Sequence, residues 1–242
     1  YLCFAISTER SDGIFRPMGL ICILLSFGLG IILARSTSWR LWEFDSDIVQ
    51  FVFIGLWEVC YYQEFNVSGS ATKLLVNSPI NSTWPISPEF MYAQDLILFS
   101  VLLKPVVLIF SAVAHRVIYV KVPFSETLKL CYKSSVFILI LCSLCTVVAV
   151  SWNHVVDIYG NTTFDFPPTF PVKKGALIKK YHTYVFPTGI VTFTLSLLGV
   201  GMFIYEMKSL KLWNQKLRHA TVLNYQRASV ASSICNICQG TL

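Results

Sequence analysis

Eight cysteines, four histidines and one lysine set inside an apolar run are the residues of this chain best equipped for chemistry. The histidines, His115, His154, His182 and His219, are scattered and join no Ser, Cys or acidic residue at a catalytic spacing. Cys142-x-x-Cys145 and Cys235-x-x-Cys238 each offer two thiols without a further Cys or His close by. Two thiols are a weak zinc signal, and the first pair reads better as small packing residues on one helix face. No glycine-rich loop is built to cradle phosphate. The expectation is a protein that is not an enzyme and that uses no cofactor and no metal. Cys60, in the stretch FIGLWEVCYY, has no following cysteine until Cys131. It is either a buried free thiol or half of a bridge between two chains.

The elements that must hold these residues are apolar. The chain of 242 residues is 55% hydrophobic and 13% charged, with mean hydropathy +0.61, about half the usual charge content of roughly 25%. Residues 18–36, 93–114, 134–152 and 184–205 are each near the roughly 20 needed to cross a bilayer. Between and around them lie an N-terminus (1–17), a first loop (37–92), a short connection (115–133), a second loop (153–183) and a basic tail (206–242). The first run is too long for a secretory leader and lacks a small-x-small cleavage site, so it is read as a retained helix.

Four spans put both termini on one side. Three sequons, at Asn66, Asn81 and Asn161, all fall in the two loops, so only one orientation makes them usable as glycan acceptors. The positive-inside rule agrees, with Arg10, Arg16, Arg116, Lys121, Lys129, Lys133, Lys208, Lys211, Lys216, Arg218 and Arg227 on the opposite side. Both termini are therefore expected in the cytoplasm, and the charge of +6 reflects orientation in the membrane. No basic stripe with interleaved aromatics points to nucleic acid.

Lys104, followed by Pro105, lies near the middle of the second span, where a lysine costs about 2.5–3.5 kcal/mol. It is expected to meet carbonyls freed by Pro105, or to snorkel. Cys131, beside the inner membrane face, is a candidate for acylation. The tail is basic enough to rest on anionic lipid headgroups.

In the first loop, Ile48 to Trp57 is rich in Val, Ile and Phe and suits a strand. Trp39, Trp42 and Trp57 suit the headgroup layer. Trp39-Arg40, then Gly55-Leu56-Trp57-x-x-Cys60, resembles the W…GLW-x-x-C pattern of the claudin family of four-span junction proteins. Ala93-Gln94-Asp95-Leu96 at the second span, Ser151-Trp152 closing the third, Phe164-Asp165-Phe166-Pro167-Pro168 in the second loop and Gly175-Ala176-Leu177 before the fourth span extend the resemblance over residues 18–205.

That resemblance implies an all-α transmembrane bundle of four helices, left-handed, with a small extracellular antiparallel sheet: four strands from the first loop and one from the second. It implies membrane lipids, further copies of itself and other claudins as partners, both in one membrane and across the cell contact, at tight junctions. Glu58 and Glu64 stand where family pores carry selectivity charge, and Phe164, Phe166, Pro167 and Pro168 fall in the second-loop interaction segment. A cytoplasmic scaffold is a weaker expectation, because the chain ends Gly240-Thr241-Leu242. The alternative is an accessory subunit that binds a membrane partner without building strands. The family's second loop cysteine is absent here, and its second-span arginine is Gln94.

Overall fold

The computed structural model describes residues 2–67, 70–81, 84–119, 126–160 and 162–239. Four helices dominate: α1 (Leu2–Arg35), α2 (Pro88–Tyr119), α3 (Glu126–Ile158) and α4 (Val185–Gln239). Five strands complete the fold: β1 (Arg40–Phe44), β2 (Phe51–Ile54), β3 (Glu58–Val67), β4 (Ser70–Pro79) and β5 (Leu177–Tyr181).

All four helices are long and apolar enough to cross a membrane. They pack in a ring in which α1 touches α2 and α4, and α3 touches α2 and α4. The ring turns large apolar side chains outward, with Phe137 68%, Leu102 64% and Ile109 61% exposed. Such a surface is compatible with lipid and not with water, and the chain is a multi-pass membrane protein. Polar stitches run between the helices. Ser26 Oγ lies 2.7 Å from Ser196 Oγ, and Ser100 Oγ 3.0 Å from Thr146 Oγ1, the hydrogen-bonded glue expected where no hydrophobic force joins helices. Close approach also needs small residues: a Cβ on Gly189 of α4 would sit 2.7 Å from the Val150 side chain of α3.

The helices outrun the apolar runs. Helix α2 already starts at Pro88, with Ser87 before it and proline in the first helical position, where its missing N–H is not needed. Helix α4 continues far beyond residue 205 without a break.

The sheet is antiparallel throughout, in the order β4-β3-β2-β1-β5. Strand β5, from the segment after α3, closes onto β1 with Leu41 opposite Tyr181 and Trp42 opposite Lys180. Residues of the inner face, Trp42, Val52, Ile54, Val59 and Tyr61, share one core with Leu33, Phe90, Ile97, Ala149 and Val185 of the helix ends. The chain after α3 threads beneath the sheet and fills this core with Phe164, Phe166 and Phe170. The Phe166 and Phe170 rings stack with centroids 4.4 Å apart, and Trp84 meets Phe170 at 5.5 Å.

Candidate functional site

The Gly-Leu-Trp segment is the turn between β2 and β3, and it joins the sheet to the helices. The Gly55 N–H donates to the Glu58 carbonyl at 2.9 Å, closing the hairpin. A Cβ at residue 55 would lie 2.7 Å from Thr37 Cα and 2.8 Å from the Ser36 carbonyl oxygen, so only glycine lets the turn press on the end of α1. Leu56 is fully buried, and its carbonyl accepts from Gln94 Nε2 on α2. Trp57 Nε1 donates to the Ala34 carbonyl at 2.8 Å, and Trp39 Nε1 to the Leu33 carbonyl at 2.9 Å. Two indoles thus bond carbonyls in the last turn of α1, where the Leu33 carbonyl also accepts from the Ser36 N–H at 3.3 Å. Gln94, set apart in the sequence by its departure from the family pattern, is part of this clamp.

Beneath the sheet lies a buried charged network that sequence reasoning missed. Arg40, at the start of β1, is fully buried. Its guanidinium donates to Asn153 Oδ1 at 3.0 Å, Thr162 Oγ1 at 2.9 Å and Glu89 Oε1 at 3.2 Å. Asp157 Oδ1 lies 3.8 Å from Arg40 Nε, accepts from Trp42 Nε1 at 3.0 Å and pairs with Lys180 Nζ at 3.7 Å. Thr162 Oγ1 also donates to Glu89 Oε1 at 2.6 Å. The Phe90 and Phe164 rings lie 5.2 and 5.8 Å from the Arg40 centre, a cation–π contact that further shields the charge. Arg40 and Lys180 therefore face the two carboxylates of Glu89 and Asp157, with Lys174 close by donating to the Thr162 carbonyl. Burial pulls the Arg40 guanidinium below its ordinary range, opposed by Asp157 and Glu89. Burial likewise lowers Lys180, opposed by Asp157. These partners come from α2, α3, β1, β5 and the intervening segment, so the network fixes where the sheet sits on the bundle.

The opposite face of the sheet is open. Phe51, Tyr62 and Leu75 are exposed there, with Glu43 and Lys179 beside them. Glu64 forms a cross-strand ion pair with Lys73 at 2.9 Å, with both side chains well exposed; such surface pairs contribute about 0–1 kcal/mol. Glu58 is half-buried at the other end of β3, opposite Pro79. The two acids are six residues apart along one strand face and do not converge.

Cys60 is buried and unbridged, opposite Asn77 on β4 and Phe53 on β2. Burial, with Glu58 adding to it, pushes its thiol up from the ordinary value. Asn77 and Phe53 are the two directly opposed positions from which a cysteine could reach Cys60.

Several expected positions change meaning. Trp39 and Trp42 are core residues, not headgroup anchors, and Trp57 is tied to α1. Phe164 and Phe166 are buried against Trp42 and do not present a contact surface; within that motif Pro168 is exposed and Pro167 half-buried. Lys104 neither snorkels nor meets a carbonyl freed by Pro105. It is fully buried and donates to the Ser26 carbonyl of α1 at 2.9 Å, because the ring of helices closes around it. Cys131 is buried against the other helices instead of open to an acyl group. Asn81 is exposed; Asn66 lies in β3, its side chain outside the described residues, as is Asn161. His154 and His182, scattered in sequence, meet with ring centroids 5.3 Å apart, and His154 stacks on Phe186 at 4.4 Å. Among the described residues no group of three or more metal-ligating side chains forms.

The chain matches no protein-family model and no curated protein.

Proposed function

We propose that this is a claudin-like four-span protein of cell–cell contacts, with both termini cytoplasmic and the sheet outside, contributing to adhesion and to a paracellular barrier or ion-selective pore. One observation carries the reading. A five-stranded antiparallel sheet, with four strands from the first loop and one from the second, is clamped by the Gly55-Leu56-Trp57 turn onto a ring of four apolar helices. With the sheet outside, as proposed, its open aromatic face and the edge strands β4 and β5 would be available to other chains, and strand edges can extend between chains. Acidic Glu58 and Glu64 would favour cations if a pore forms.

Unbridged Cys60 favours a second reading, an accessory subunit that binds a membrane partner without polymerising. The test is expression of the tagged chain in cells lacking junctions, with freeze-fracture imaging. Continuous strands at contacts are expected of a junction former. Diffuse surface staining without strands refutes that reading and leaves the subunit role.

A further inference from the structure

We propose that residues 208–223 of α4 are a docking helix for a carboxylate-rich, groove-forming calcium sensor of the EF-hand class. The proposal rests on the cytoplasmic orientation given above, and its partner is additional to any junctional one.

The first observation is the unbroken course of α4, which runs from Val185 to Gln239 as one helix. A crossing takes roughly 20 residues, so it ends near Tyr205. At about 1.5 Å per residue, Leu223 then stands roughly 27 Å beyond the hydrocarbon, several screening lengths of about 8 Å away. Lys208 and Lys211 stay near the headgroups, but Lys216, Arg218 and His219 do not. A lipid surface therefore leaves most of the segment's charge unanswered.

Charge is the second observation. After Glu206 the chain contains no Asp or Glu. Lys208, Lys211, Lys216, Arg218 and His219 are all exposed on the helix. A solvated helix without opposite charges three or four residues away gains no support from such pairs, and like charges weaken it. A polyanionic partner reverses that penalty.

Third, apolar side chains stand open among these bases: Leu212 59%, Val222 57% and Leu223 47% exposed. Eleven residues separate Leu212 from Leu223, about three helical turns or roughly 16 Å, which returns Leu223 to the same side of the helix, with Val222 about 80° around from it. Two apolar anchors at that separation, with bases between and beside them, fit a partner that grips a helix through hydrophobic grooves rimmed by acid. Calcium-loaded EF-hand sensors open such a groove, rich in methionine, and close it when calcium leaves.

The test uses the full chain in phosphatidylcholine nanodiscs, with dansyl-calmodulin as the probe, in calcium and in EGTA. Binding in calcium alone is expected. Leu212→Glu with Leu223→Glu should weaken it by about a hundredfold or more, and Lys216→Gln with Arg218→Gln by about tenfold with a shallower salt dependence. No binding in calcium, equal binding in EGTA, or binding unchanged by Leu212→Glu with Leu223→Glu overturns the proposal. Tryptic protection at Lys216 and Arg218 produced by phosphatidylserine and not displaced by calmodulin overturns it in favour of the membrane. A C-terminal epitope reached by antibody on intact cells overturns the orientation on which it rests. A cytoplasmic tail that fails to bind removes this proposal alone and leaves the junctional reading standing.

Discussion

Replacing Arg40 by methionine keeps most of the side-chain volume and removes the charge from the centre of the buried network. Three donated hydrogen bonds are lost, to Asn153, Thr162 and Glu89, together with the ion pair to Asp157. Removing one partner of a buried pair costs about 3–5 kcal/mol, chiefly because the other charge is left without compensation. Here Asp157 keeps Trp42 Nε1 at 3.0 Å and Lys180 at 3.7 Å, and Glu89 keeps the Thr162 hydroxyl at 2.6 Å. The loss should therefore fall near the lower end, about 3 kcal/mol. Urea unfolding in detergent micelles, followed by tryptophan emission, reads this directly, since Trp42 sits in the network. Adding Glu89→Gln to Arg40→Met should recover part of the loss, because the stranded carboxylate is gone. A loss below about 1 kcal/mol for Arg40→Met, or a double variant less stable than the sum of the singles, would refute the view that this network anchors the sheet.

Other outcomes follow from the geometry. Gly55→Ala should destabilise the sheet by more than the few tenths of a kcal/mol of an ordinary surface change, since its Cβ would meet backbone at 2.7 and 2.8 Å; thermal unfolding of the variant checks this. Asn77→Cys should bridge to Cys60 under mild oxidation, because directly opposed strand residues lie within disulfide reach. The loop so closed is comparable to those predicted to contribute about 3 kcal/mol, read as a urea-midpoint shift that dithiothreitol reverses. In the native chain Cys60 should react with iodoacetamide more slowly than a free thiol at neutral pH, because burial raises its pKa and depletes the thiolate. Rate against pH should rise above the ordinary thiol range, and a rapid reaction at neutral pH would contradict the buried position.

How much of this was legible depended on the range of the interaction. The four spans declared themselves because a crossing helix must be apolar over its whole length, a local property. The strand at Phe51–Ile54 was likewise readable from a short run of β-formers, but the expected strand over Ile48 to Trp57 ran too far: Gly55-Leu56-Trp57 is a turn, set by the close approach of Gly55 to Ser36 and Thr37, which nothing local announces. Arg40 was not, because a basic residue in a loop looks solvated until Glu89, Asp157 and Thr162 arrive from three distant segments. The same holds for Trp42, which composition assigns to the headgroups and topology assigns to the core. Phe164 and Phe166 were recognised as a motif but misread as surface, since nothing local says that the chain passes beneath the sheet. The continuation of α4 went unread because hydropathy ends where the helix does not.

The pairing of β1 with β5 also orders events during synthesis. Glu43 and Tyr181 meet side by side from positions 138 apart in the chain, with two whole membrane crossings between them. At about 5–20 residues per second, the ribosome takes from several seconds to nearly half a minute to supply the closing strand. Throughout that interval β1 presents an unpaired edge, and Arg40 waits without Asp157 or Thr162. The nascent first loop thus holds an open edge and a buried-to-be cation until the closing strand arrives, and codon choice or stalling between α2 and β5 bears on yield without altering any residue.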